Sequence, residues 1–99
     1  MAKGHTLVVP KQETDYIFDL DDSLLAGMAL FAKKVAAAIQ AVIPCNRVGL
    51  MVIGLEVPHA HIHLVPIQKE GDMSLANPRV RLSKEEFAEI AEKISRQMS

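Results

Sequence analysis

Three histidines occupy alternate positions in residues 59–65, a segment that reads His-Ala-His-Ile-His-Leu-Val. Successive side chains of a β-strand point to opposite faces, so histidines at i, i+2 and i+4 share one face. We therefore predict a row of His59, His61 and His63 on one face of a strand, with the apolar residues between them facing the core. Imidazole changes its charge readily near neutral pH, so the row indicates either catalysis at an electrophile or metal binding.

Two simpler interpretations of the row remain open from the residues alone. One is an accidental stripe of histidines on a solvated strand. The other is a metal site made of the three histidines. Neighbours on one face of a strand are about 7 Å apart, which is wide for three imidazoles that must converge on one ion. Taken alone, His5 would also be an ordinary strand residue.

The composition limits the class of protein. The chain has 99 residues, 49% of them hydrophobic, which favours a single domain spanning residues 1–99 with its own core. Eleven Lys and Arg against 12 Asp and Glu give a net charge of -1 without a basic block, so no polymeric nucleic acid partner is expected. The longest apolar run, Leu24–Ala32, is too short to span a bilayer, and no signal region precedes it. The only cysteine, Cys45, excludes an internal disulfide, so we expect a soluble, cytoplasmic protein.

The pattern of apolar and turn-forming residues predicts an α+β domain with an antiparallel sheet and two helices. The first helix should follow N-cap candidates in residues 19–23 and present one apolar face, and the second should begin at a capping box after Ser83. The last two strands should pair as an antiparallel hairpin because few residues separate them. The predicted elements are strand 6–9, helix 23–43 (apolar face Leu24, Met28, Phe31, Val35, Ile39, Val42), strand 47–53, strand 60–65 closed by Pro66, surface loop 68–78 and helix 84–98.

The alternating histidines resemble the signature of the histidine triad family of nucleotide hydrolases and transferases. A second segment, residues 4–11 (Gly-His-Thr-Leu-Val-Val-Pro-Lys), is similar to the family's central strand, which also carries a histidine. Residues 19–22 resemble the start of the family's long helix, and residues 56–59 resemble the approach to its triad. The resemblance covers residues 3–67 and includes all four histidines.

This resemblance implies a chemical role for each histidine. His61, in the middle of the triad, would attack phosphorus and form a nucleotidyl-histidine intermediate that water then resolves. A backbone carbonyl at His59 would hold the His61 ring in the required tautomer. His63 would donate a proton to the leaving group or stabilise charge. His5 would support the triad by a hydrogen bond to His59.

The implied function is a nucleotide phosphohydrolase or nucleotidyl transferase that acts on nucleoside phosphoramidates or dinucleoside polyphosphates. No cofactor is implied, and no zinc is expected, because the chain lacks a Cys-x-x-Cys pair. The family commonly forms homodimers, so we expect one here. Members usually carry roughly 30–40 further residues before the His5 strand, enough for a helix and two short strands, and we expect this chain to lack that segment. Two alternatives remain: a catalytically weak nucleotide-binding or interaction domain, and a metal-binding protein.

Overall fold

The computed structural model describes residues 3–55, 58–74 and 82–98. Glu56 and Val57, and residues 75–78 of the predicted surface loop, lie outside the described residues. Short 3-10 helices precede the first α-helix and follow the last strand. The elements in chain order are β1 (Thr6–Val8), α1 (Asp22–Val42), β2 (Arg47–Met51), β3 (Ile62–Ile67) and α2 (Lys84–Gln97). The predicted α+β class and the order of the elements are confirmed.

The sheet has β3 in its centre, antiparallel to both β1 and β2. The predicted antiparallel pairing of the last two strands is therefore confirmed. The predicted short connection is wrong, because β2 ends at Met51 and β3 begins at Ile62, with residues 52–61 between them. The prediction that Pro66 closes the last strand is wrong, because β3 continues to Ile67 and Pro66 pairs with Val48. β1 begins at Thr6, opposite Leu64, so β3 pairs only with β2 at Pro66. Proline has no backbone N–H to donate to a neighbouring strand. This is tolerated at an edge-like position, where a strand lies on one side only.

Helix α1 begins at a side-chain cap and packs its apolar face onto the sheet. The Asp21 carboxylate accepts a hydrogen bond of 2.8 Å from the backbone N–H of Leu24, as preferred at an N-cap. Phe31, which the sequence pattern placed on the buried face, is 49% exposed. Phe31 lies about 60° around the helix from Met28, at the margin of the apolar stripe. The buried residues of α1 are Met28, Ala32, Val35, Ala38 and Ile39.

Helix α1 is long and apolar enough to cross a membrane by length and composition alone, with a mean hydropathy of 1.5. In the fold described here its apolar face instead contributes to a shared core. Val8 of β1, Ile62 and Leu64 of β3, and Ile94 of α2 belong to the same cluster of buried side chains. Burial of this face accounts for part of the hydropathy of the helix, because 28% of its apolar window is buried and Leu30 is 68% exposed.

Helix α2 begins at the predicted capping box, which is confirmed. The Ser83 hydroxyl accepts from the N–H of Glu86, and the Glu86 carboxylate accepts from the N–H of Ser83. Ile94 is buried, and Ile90 and Met98 pack against the core from the same side. The helix therefore covers the core beside α1.

Within the part of the chain that the structure describes, the face of the sheet opposite α1 is covered at one end only. A Cβ on Gly49 of β2 would lie 2.5 Å from the sulfur of Met73, so the 3-10 helix Glu70–Met73 packs its methionine directly on the backbone of β2. Val65, which pairs with Gly49, is completely buried. Further along the same face, His61 and His63 remain partly exposed. The packing of Met73 thus leaves the two histidines accessible.

Candidate active site

Three imidazole rings lie side by side on the uncovered part of the sheet. The rings of His61 and His63 have centroids 4.8 Å apart and planes inclined by 65°. The ring of His5, from β1, stacks on His63 with centroids 5.1 Å apart. The row in the folded protein is therefore His61, His63 and His5, and it draws on two strands.

The ring of His61 is held by the backbone two residues before it. Its Nδ1 lies 2.8 Å from the carbonyl oxygen of His59. A carbonyl oxygen can only accept, so Nδ1 carries the hydrogen and donates. In the neutral ring the lone pair is then on Nε2, the nitrogen left to act as a nucleophile or ligand. The expected contact between the His61 ring and the chain at His59 is confirmed.

The side chain of His59 does not join the row, so the prediction of three aligned histidines is wrong at this residue. β3 begins only at Ile62, and the Nε2–H of His59 donates to the carbonyl oxygen of Pro10 at 2.9 Å. Val8 pairs with Ile62, and the same register continued by two residues places Pro10 opposite Ala60. The ring of His59 therefore meets the chain that leaves β1.

His5 contacts a different histidine from the one expected. The predicted hydrogen bond to His59 is wrong; Nε2 of His5 instead lies 2.9 Å from Nδ1 of His63. The register explains the difference, because Thr6 pairs with Leu64 and His5 is therefore the diagonal neighbour of His63. One of the two nitrogens donates and the other accepts, so the bond couples the tautomers of the two rings.

Both rings of this pair favour the neutral form. Burial lowers the pKa of His5 below 6.5, and the charge of a protonated His63 lowers it further. Burial also lowers the pKa of His63, with a smaller contribution from His61. Desolvation penalises an imidazolium, and neighbouring imidazoliums repel each other. The neutral forms of His5 and His63 therefore predominate in the free protein at pH 7.

Apolar side chains flank the row on both neighbouring strands. Leu7 of β1 and Met51 of β2 both pair with His63, so the three side chains lie side by side on one face. Leu7 is 50% exposed. Apolar flanks lower the local dielectric and strengthen electrostatic interactions made by the imidazoles.

Residues in the loop after β1 and on β2 belong to the site although the sequence predicted no role in the site for them. The backbone carbonyls of Pro10 and Thr14 contact the segment before β3, and Met51 lies beside His63. Only the register of the sheet shows that these residues lie beside the histidines, and the spacing of residues in the sequence does not give that register. Across residues 3–55, 58–74 and 82–98, no group of three or more His, Cys, Asp or Glu side chains is placed to hold a metal ion.

Comparison with known proteins identifies this arrangement. The model of the HIT domain matches residues 1–70. The adenosine 5'-monophosphoramidase hnt1 of Schizosaccharomyces pombe is 32% identical over 99 residues, with 95% of this chain and 72% of that protein covered. The asymmetrical bis(5'-nucleosyl)-tetraphosphatase of the same organism is 30% identical over 76 residues, with coverage of 72% and 41%.

A solved structure shares the fold. The hypothetical histidine triad nucleotide-binding protein from Sulfolobus tokodaii superposes with a TM-score of 0.75 at 25% identity. The alignment covers 96% of this chain and 69% of that one. The chain thus spans between two fifths and three quarters of the length of these three proteins.

Proposed function

Because this chain belongs to the HIT domain family, we propose that it is a nucleotide phosphohydrolase or nucleotidyl transferase. Its substrates are nucleoside phosphoramidates or dinucleoside polyphosphates, and the reaction passes through a nucleotidyl-histidine intermediate. The similarity to a phosphoramidase and to a dinucleoside tetraphosphatase supports this substrate class. The observation that carries the proposal is the hydrogen bond between His61 and the carbonyl of His59.

That hydrogen bond prepares His61 for attack on phosphorus. With the proton held on Nδ1, the lone pair of Nε2 forms a bond to phosphorus while the bond from phosphorus to the leaving group breaks. The Nδ1–H bond to the carbonyl stabilises the positive charge that develops on the ring. The product of this step is a nucleotide joined to Nε2 of His61.

His63 is the proposed proton donor to the leaving group. The negative charge of a bound phosphate favours the imidazolium form of His63, in which Nδ1–H donates to Nε2 of His5 and Nε2 also carries a proton. Transfer of the Nε2 proton to the leaving group leaves His63 as a neutral imidazole. Departure of an amine or a phosphate needs a proton, and His63 is the next imidazole in the row. In the second step water gives its proton back to His63 and attacks phosphorus, which releases His61.

Turnover of an adenosine phosphoramidate by the purified protein tests this function. Wild-type protein should release AMP and the free amine, and the His61→Ala variant should release neither. Equal turnover by the two proteins would refute the proposal. Because the His61 side chain is not part of the core cluster, the variant should fold, and circular dichroism provides the control.

A second candidate function is a nucleotide-binding domain with weak or no catalysis. The similarity to a histidine triad nucleotide-binding protein from Sulfolobus tokodaii favours it. AMP binding measured by calorimetry, together with no release of amine from the phosphoramidate, would select this alternative.

We further propose that the protein forms a homodimer in the cytoplasm. Among the described residues, β1 and β2 each pair with β3 alone, which leaves one edge of each strand open to association. No Asp, Glu, Lys or Arg lies between Gly4 and Pro10 to protect the edge of β1. An apolar groove of about 290 Å³ adjoins that edge between the two helices, lined by residues that include Val8, Phe31, Ile94 and Met98. The free Cys45 suits a reducing compartment.

A further inference from the structure

Two hydrogen bonds join the loop after β1 to the segment before β3. The Nε2–H of His59 donates to the carbonyl oxygen of Pro10 at 2.9 Å. The backbone N–H of Ala60 donates to the carbonyl oxygen of Thr14 at 2.6 Å. Both acceptors lie in residues 10–14, which we call the anchoring loop. The loop therefore holds His59 by its side chain and by the peptide group that follows it.

The peptide group between His59 and Ala60 links the anchoring loop to the ring of His61 by two hydrogen bonds. Its N–H bonds to Thr14, and its C=O accepts from Nδ1 of His61 at 2.8 Å. In a planar trans peptide the N–H and C=O point in opposite directions, so fixing one fixes the other. The carbonyl that selects the tautomer of His61 is thus aimed by the anchoring loop.

The same chain of hydrogen bonds makes the carbonyl oxygen of His59 a stronger acceptor for the His61 ring. An amide whose N–H donates is polarised, and its carbonyl oxygen becomes a better acceptor. The carbonyl of Thr14 therefore favours the His61 proton on Nδ1 through the intervening amide. This keeps the lone pair on Nε2, where the proposed reaction needs it.

We propose that His59 is a positioning residue, and that its ring acts by fastening the peptide bearing the His61 acceptor to the anchoring loop. This inference deepens the proposed function and rests on His61 as the nucleophile. It assigns no proton transfer to the His59 ring, because the hydrogen on its Nε2 is held by Pro10. It also explains why a loop outside the histidine row contributes to the site.

Two substitutions at His59 separate positioning from chemistry. In glutamine, Nε2 is the same number of bonds from the backbone as Nε2 of histidine, and it can donate to Pro10 but cannot shuttle protons near neutral pH. Alanine removes the donor altogether. The matched control is Ser83→Ala, which removes the cap of α2 and lowers stability far from the histidines.

The direct readout is the state of the His61 ring, observed by nitrogen-15 NMR without substrate. Wild-type protein and His59→Gln should show the Nδ1–H tautomer of His61 and a slowly exchanging Ala60 amide. His59→Ala should show mixed tautomers and faster exchange of that amide. The Ser83→Ala control should retain the wild-type ring signals.

The kinetic readout uses the adenosine phosphoramidate. His59→Ala should lower kcat by up to about 100-fold, as misplacement of a reacting group does, with a much smaller change in KM. His59→Gln should restore most of this loss. A glutamine variant as inactive as alanine would overturn the proposal, because it would show that the ring itself takes part in the chemistry. An unchanged His61 tautomer in His59→Ala would overturn it as well, even if the wild-type protein had no turnover.

Discussion

His5 and His63 are 58 residues apart in the sequence, and Nε2 of His5 lies 2.9 Å from Nδ1 of His63. Their rings stack with planes inclined by 23°. A neutral imidazole has one donor and one acceptor nitrogen, so this bond couples the tautomers of the two rings. His5, which precedes β1, thus contributes to the site by orienting the ring of His63, the proposed proton donor.

The contacts predict an order of severity among alanine variants. His61→Ala should abolish turnover of the adenosine phosphoramidate because it removes the nucleophile. His63→Ala should lower kcat by about 10²–10⁴-fold, the usual contribution of a general acid. His5→Ala should have a smaller effect, since His5 acts only through His63. Steady-state kinetics of the three variants provide the measurement. A lower kcat in His5→Ala than in the other two variants would contradict these roles.

The pKa shifts of His5 and His63 predict that stability falls in mild acid. The pKa of each folded ring lies below its ordinary value of 6.5, so the unfolded chain binds more protons between these two values. The free energy of unfolding should therefore be greatest above pH 6.5 and should decrease as the pH falls through the folded pKa values. Urea denaturation between pH 5 and pH 8 checks the direction.

A variant without one of these titrating groups is the matched control. His5→Gln removes the His5 contribution, so its free energy of unfolding should depend less on pH over the same interval. A wild-type protein that gains stability on acidification from pH 7 to pH 5 would show that the imidazoles are not held in their neutral forms.

The fold could be predicted from the sequence where local signals act, and the site only in part. Alternation between Ala60 and Leu64 and the helix caps specify the elements, and the adjacency of the last two strands in the sequence favours the pairing of β2 with β3. The sequence does not state which residue of β1 lies opposite which residue of β3. Because of that register, His5 contacts His63 and not His59 as predicted, and Pro10 lies beside His59. Non-local pairing of this kind has no local signal.

The centre of β3 should be the most sensitive part of the core. Leu64 is 1% exposed and lies between β1 and β2, so Leu64→Ala should lower the free energy of unfolding by about 2–5 kcal/mol. Leu55, which is 88% exposed, is the matched control, and Leu55→Ala should change stability by no more than about 0.5 kcal/mol. Equal losses in chemical denaturation would contradict the assignment of the core.

Association at a free strand edge should give a dimer or a higher oligomer at micromolar concentration. Multi-angle light scattering over a wide range of concentrations measures the mass. Lysine at the edge in use should dissociate the assembly, so Leu7→Lys tests β1 and Leu50→Lys tests β2. A monodisperse monomer at all concentrations would contradict the proposed assembly.

The most direct test of the central proposal is a search for the covalent intermediate on His61. Wild-type protein is mixed with the adenosine phosphoramidate, quenched within the first turnover in alkaline denaturant, and analysed by mass spectrometry of the intact chain and its peptides. The account predicts a mass increase of one adenylate on the peptide containing His61, and none in His61→Ala. Burst release of the amine without any adduct, or an adduct that persists in His61→Ala, would contradict nucleophilic attack by His61.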